Sequence, residues 1–242
     1  MKIYAVIQPS WKEGRQIEKI LPINYLLSFY YISGNNYKDI LNKGKAIIID
    51  SGAFTLQKNL NKDVNQYIEE YKEFIKKIRY NPKVDGFFEM DIDNQIGYSA
   101  VQDIRNDLFD LTDKIIPVWH KSLGIPEYKR MCREYDYISF SGVNKEDIHR
   151  NNFKHFVKEA HKHGTKVHGL GVSRKEILDT VPFDSVDASS WMEIVQFGKK
   201  LNGVQLSSSF IKENAHRLRY YCLLKEQKRQ IDYERYWNEK LC

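Results

Sequence analysis

Apolar residues along the chain fall into short, nearly continuous runs, separated by longer stretches in which they recur every three or four positions. The runs are KIYAVI (2–7), YLLSFYYI (25–32), AIIID (46–50), VDGFFEMD (84–91), IIPVWH (115–120), YISFSG (137–142), KVHGLGV (166–172) and DSVDAS (184–189). A parallel strand covered on both faces needs this continuity, whereas a strand with one wet face alternates. Between the runs the period changes. In 64–80, Val64, Tyr67, Ile68, Tyr71, Phe74, Ile75 and Ile78 mark one helix face, and Asp63 followed by Gln66 offers a capping box at its start. The same spacing predicts helices at 98–112, 125–135, 151–163, 174–181 and 191–200, and Gly164 in KHG reads as a helix C-terminus.

Eight strands alternating with helices predict an α/β fold, a (β/α)8 TIM barrel, because parallel neighbours need crossover connections. A doubly wound open sheet is the alternative. After residue 209 the pattern becomes one long polar helix rich in Lys, Arg and Tyr, with no further strand. The expected organisation is a barrel domain over 1–208 and a basic helical extension over 209–242. No Pro/Gly/Ser-rich linker, low-complexity tract or internal repeat interrupts it.

Composition narrows the class. The chain has 242 residues, 42% of them hydrophobic, which is enough for one substantial core. No apolar run approaches the roughly 20 residues that span a bilayer, and the N-terminal run turns polar at Gln8, too early for a signal-peptide core. A soluble, cytoplasmic protein is expected. Cys132, Cys222 and Cys242 lie far apart, which argues against a disulfide framework or a zinc ribbon. The formal charge of +6 mildly favours a polyanionic partner and is equally compatible with an ordinary basic protein.

In a barrel, chemistry gathers where strands end. Those ends carry Gln8, Asp50, Asp91 with Asp93, His120, Ser141 with Gly142, Gly169 to Gly171, and Asp187. Singly, the acids have plain explanations: Asp50 can cap the next turn, one of Asp91 and Asp93 can be structural, and Asp187 can be an N-cap. Three strands delivering carboxylates to one rim are harder to explain that way, since like charges raise one another's pKa and cost stability. Gly52, Ala53, Gly142, Gly169 and Gly171 permit close backbone approach, and Phe54 offers an aromatic face. Such a slot suits a planar heterocycle. Guanine fits, because its N1–H and N2–H₂ donors can meet one carboxylate while O6 takes donors.

The motifs DSGAFT, FEMDID, PVWH, YISFSG, HGLGV and FDSVDASSW, in this order, resemble those of the tRNA-guanine transglycosylases, and more closely the phage and bacterial relatives that place 7-deazaguanines in DNA. The resemblance covers roughly residues 45–192. It implies a pentosyltransferase that replaces guanine in a polynucleotide, DNA ahead of tRNA, with a free 7-deazaguanine or guanine base as second substrate. It implies Asp187 as the nucleophile at C1′ and Asp50 as the second catalytic aspartate. Phe54 would stack on the base with Leu170 of HGLGV opposite and Gly171 beside it. Asp91 would read the guanine edge, with Asp93 as fallback. His120 stands where the family usually has glutamine, and Ser141–Gly142 where it has paired glycines. The family's zinc site, three cysteines and a histidine after the nucleophile, is missing from the sequence, so no metal or other cofactor is expected. The arginine pair of the tRNA enzymes is missing too. A homodimer or a partner subunit is compatible with the resemblance, and a non-catalytic nucleic-acid-binding barrel subunit is the alternative.

Three features lie outside the motifs. His155, His161 and His163 read as a solvated helix end, and His168 as a core or pocket-lining residue. In the tail, Arg217, Arg219, Lys225 and Lys228 interleave with tyrosines, a pattern that can follow phosphates and stack on bases or simply face water on a packed helix.

Overall fold

The computed structural model describes residues 1–8, 20–58, 63–141, 148–198, 200–201 and 203–241. Its strands are β1 (Lys2–Ile7), β2 (Asn24–Ser28), β3 (Ala46–Asp50), β4 (Val84–Phe88), β5 (Ile115–Ile116), β6 (Val118–Trp119), β7 (Tyr137–Ser141), β8 (Lys166–Leu170) and β9 (Ser185–Ala188). All pair in parallel, in the order β5-β4-β3-β2-β1-β9-β8-β7-β6. The two outermost strands, β5 and β6, are halves of one run divided at Pro117. The sheet therefore curls back on itself into a nearly closed barrel with helices between its strands, a TIM-barrel-like α/β fold.

Pro117 explains the division, because a proline has no N–H to give to a ladder. Its carbonyl accepts from the Ser139 amide at 2.8 Å and the Ser139 hydroxyl at 3.1 Å, and the next amide, Val118 N–H, goes to the Glu89 carboxylate instead of to a strand.

Strand pleating sorts the apolar residues into two layers. Tyr4, Leu26, Ala46, Ile48, Phe88, Ile116 and Val118 fill the barrel lumen, with Leu170 and Tyr137 against them. Their neighbours point outward: Ile47, Ile49 and Phe87 meet Tyr71, Phe74 and Ile75 of the helix Val64–Ile78. On the other side, Ile138, Phe140, Val167 and Val186 meet the helices Gly124–Glu134 and Phe153–His161. Burial on both faces is the physical origin of the continuous runs.

The elements end earlier than the runs. In 25–32 the strand stops at Ser28, and Phe29–Tyr31 forms a 3-10 turn that puts the Phe29 ring 5.1–5.3 Å from Tyr67, Tyr71 and Phe74. Run 84–91 is strand only to Phe88, and the expected helix 191–200 is helical over Glu193–Phe197 after a 3-10 turn at Ser190–Met192. Asp63 caps its helix by accepting from the Asn65 and Gln66 amides at 2.9 and 3.1 Å, but the Gln66 side chain turns to Glu70, so only half of the box forms. Gly164 adopts φ 80° behind Phe153–His161, as the KHG reading requires.

The C-terminal segment forms two helices, Ser208–Glu213 and Ala215–Leu241. The longer one lies against the barrel. Gln230 bonds both backbone groups of Asn24, at 2.8 and 3.1 Å, Trp237 donates to the Leu178 carbonyl at 2.9 Å, and Leu218, Cys222 and Trp237 are buried. Its polar composition reflects one narrow packed face. Among the described residues no helix is long and apolar enough to cross a membrane, and Cys132 and Cys222 are free and buried.

Candidate active site at the strand ends

Pleat parity carries two acids into the mouth of the lumen. Asp50 follows Ala46 and Ile48 on the inward side of β3, and Asp187 follows Ser185 on β9. A third, Asp91, stands three residues beyond β4.

Asp187 is 8% exposed, and one of its oxygens is committed. Oδ1 accepts from the Gly171 amide at 2.9 Å and meets His168 Nε2 at 3.0 Å. His168 is wholly buried, with the Phe88 ring edge-on at 5.0 Å. Its Nδ1 contacts the Ser185 hydroxyl, which in turn meets the Tyr137 hydroxyl. The whole chain is consistent with an Nε2–H tautomer: Tyr137 donates to Ser185, Ser185 to His168, and His168 to Asp187. Both bonds to the carboxylate fall on Oδ1. Oδ2 has no hydrogen-bond partner among the described residues.

Asp50 has no cation beside it among the described residues. Burial pushes its carboxyl up from 3.8 to about 6, and the nearby Asp187 and Asp91 carboxylates push in the same direction. Ser28 Oγ and the Gly52 amide hold it down only in part. Ser28 Oγ has no partner within strict hydrogen-bond geometry, so the serine acts on Asp50 as a nearby dipole. Gly52 is required where it stands: its φ is 77°, and a Cβ there would lie 2.6 Å from Tyr30 Cβ and 2.8 Å from the Tyr67 hydroxyl.

Asp91 pairs with His120 Nε2 at 2.6 Å, and its backbone carbonyl accepts from Gln57 Nε2 at 2.7 Å. One ligand atom each from Asp91, Asp93 and His120 lie within 4.8 Å of one another, all half-buried. These are the described residues whose spacing would let them share a cation. The same donors and acceptor edge could equally read a heterocycle.

Other residues singled out from the sequence take varied places. Phe54 is 67% exposed in the short helix Ala53–Leu56, with the Lys58 ammonium 3.8 Å above its ring. Leu170 closes β8 on the lumen side, opposite Ser141 of β7. Gly171 is exposed at φ 65°. Gly142 lies outside the described residues. Trp119 is buried, donating to the Gly124 carbonyl at 3.0 Å, so it fills the outer layer and does not line the mouth. Trp191 is half-buried and donates to the Val6 carbonyl at 2.9 Å. His155, His161 and His163 are exposed, His161 reaching Asp184 at 2.9 Å.

The basic tail residues are spread along the helix Ala215–Leu241. Arg217, Lys225 and Lys228 are exposed and Arg219 is half-buried. At a rise of about 1.5 Å per residue, Lys228 stands roughly 16 Å from Arg217 along the axis.

The sequence reading passed over the pairing of His168 and Ser185 with Asp187. The signal was parity: His168 lies two residues before Leu170 on the same inward face, and Ser185 two before Asp187. Compared with family models and with curated proteins, the sequence matches none.

Proposed function

We propose that the chain is a base-exchanging transglycosylase, replacing guanine in a polynucleotide with a 7-deazaguanine. DNA is the favoured polymer and tRNA the second. The observation that carries this reading is the meeting of three aspartates at one barrel mouth, where Asp50 stays protonated to about pH 6 and has no cation beside it among the described residues. An acid with a raised pKa beside an oriented carboxylate is the pair that N-glycoside exchange needs.

Asp187 Oδ2 attacks C1′ as the C1′–N9 bond breaks, and its electron pair leaves on the base. The carboxylate first stabilises the positive charge developing on the sugar and then captures it as a covalent ester. Asp50 gives its proton to the departing guanine. The incoming base returns a proton to Asp50, its nitrogen attacks C1′, and Asp187 is released. His168 and the Gly171 amide keep Oδ1 occupied, so the attacking oxygen keeps one orientation. Asp91, steadied by His120, would accept from N1–H and N2–H₂ of the base. Phe54 and Leu170 would cover its two faces. The target must leave any base stack, so a single strand or a flipped nucleotide is the form bound.

Incubation with radiolabelled guanine and either polymer tests the reading. Label retained in DNA or tRNA without strand cleavage supports it and chooses between the polymers. Folded protein that labels neither overturns it.

A further inference from the structure

A small cleft is lined in part by Gly171, the residue whose amide holds Asp187 Oδ1. It has a volume of about 90 Å³, the share of roughly three waters in the liquid. Gly171, Ser173, the apolar Phe153 and Ile177, and the cationic Arg150 and Arg174 are among the residues that line it. Arg150 begins the 3-10 turn Arg150–Asn152 that leads into the helix Phe153–His161, and Arg174 precedes the short helix Lys175–Leu178. Two separate segments therefore bring a guanidinium to the same small space.

Neither arginine has a hydrogen bond or ion pair among the described residues. Three other arginines of this chain have carboxylate partners. Arg105 pairs with Glu89, Arg130 with Glu127 and Glu134, and Arg229 with Glu226. Lys175, next to Arg174, pairs with Asp179. Two arginines without a partner among the described residues line one cleft, and an anion there would offset their like charge while offering acceptors for their planar forks.

The location selects the anion. Gly171 belongs to both sites: its amide holds Asp187 Oδ1, and the residue lines the cleft. A nucleotide whose C1′ sits at Asp187 Oδ2 carries its backbone phosphates one sugar ring away. The geometry points to Arg150 and Arg174 as a subsite for one phosphodiester adjoining the nucleotide under attack. This deepens the proposed function and rests on it for the position of the sugar. It assigns the polymer's grip on the mouth to two loops at the strand ends, apart from the basic C-terminal helix.

The test uses single-stranded oligonucleotides with one target guanosine, in which the phosphate on its 5′ or its 3′ side is replaced by a neutral methylphosphonate. Wild-type protein should bind one of the two substituted strands about tenfold more weakly than the natural strand, as expected for one charge-assisted contact. The Arg150→Gln/Arg174→Gln variant should bind the natural strand weakly and show no further loss on that substitution. Its salt slope should fall by about 0.7, the value for one phosphate on a single strand. Neither side chain bonds another described residue, so the variant's thermal midpoint should stay close to the wild type. The wild-type comparison in any case needs no variant.

Equal factors lost by wild type and variant on the substituted strand would overturn the subsite, as would a wild type indifferent to both substitutions. Guanosine monophosphate bound more tightly than the oligonucleotide would overturn the polymer assignment and point to a free phosphate monoester. Phosphate-dependent binding with no base exchange would leave the subsite standing and remove the transglycosylase reading. Exchange that ignores the phosphates would do the reverse.

Discussion

Of two acids in the same barrel, Glu89 is buried and Asp50 half-buried, and loss of water around them pushes both carboxyls up. Their surroundings differ in kind. Glu89 receives Arg105 Nε at 2.6 Å and Nη2 at 3.0 Å, and the Val118 amide besides. Arg105 is itself buried and touches the Tyr98 and Tyr135 hydroxyls at 3.3–3.4 Å. The charge is matched and the donors are used up. Asp50 has a serine dipole, one amide and two further carboxylates. The first arrangement fastens the helix Tyr98–Leu111 to the barrel at the Pro117 break and leaves nothing to react. The second leaves a proton held weakly enough to move at neutral pH. The buried charge with its partner belongs to the fold, and the acid with no cation among the described residues is the one the proposed chemistry would use.

Substitutions can break that contrast. The largest effect should come from Asp187→Asn, which keeps the shape of the site and removes the nucleophile. Turnover should fall by at least about 10⁴-fold, with the unfolding midpoint little changed, when exchange is measured under single-turnover conditions. Arg105→Met should instead spare the chemistry and cost stability. It strands a buried carboxylate, a loss of about 3–5 kcal/mol in denaturant unfolding. Adding Glu89→Met to it should restore part of that loss, because the uncompensated charge is then gone.

Asp50 sharpens the contrast through pH. In the unfolded chain its carboxyl loses its proton near 3.8, and in the folded chain near 6. The native state therefore binds more protons between those values, so stability falls as pH rises through the window and the cost is complete above about pH 6. The penalty is up to about 3 kcal/mol. Asp50→Asn should abolish it, making the variant as stable as wild type near pH 4 and more stable at pH 7. The same substitution should remove the alkaline limb of the kcat/KM profile near pH 6, since the proposed proton donor is missing.

The smallest effect should belong to His168. Replacing it with Ala frees Asp187 Oδ1 from one of its two partners and lets the carboxylate turn. A drop in kcat of about 10- to 100-fold with KM nearly constant is the expected signature of lost orientation. His168→Gln, whose amide can still donate, should recover part of it. A rise in KM with unchanged kcat would assign His168 to substrate binding.

The strands were legible in the sequence because both their faces are buried, which left runs such as AIIID unbroken. Their ends were less so. Phe29 continues the apolar run past Ser28 because it packs on Tyr67 and Tyr71 from a turn, and Met90 and Ile92 do so past Phe88 because the loop after β4 is itself buried. Asp50 and Asp187 could be found because a barrel reacts at its strand ends, and each acid closes an apolar stretch. His168 could not be found that way. Its partner lies 19 residues away on the neighbouring strand, and only pairing β8 with β9 at His168↔Ser185 brings them together. Arg150 and Arg174 left no pattern at all, since two lone cations far apart in sequence look like ordinary surface.

Intact-mass spectrometry is the most direct test of an oriented aspartate that captures the sugar. The protein would be held with a guanosine-containing oligonucleotide while released guanine is removed and no replacement base is supplied. The expected result is a species heavier by the oligonucleotide less guanine, mapped to Asp187 and absent from Asp187→Asn. Folded wild-type protein that binds the strand yet never gains that mass, or a variant that still gains it, would contradict the mechanism.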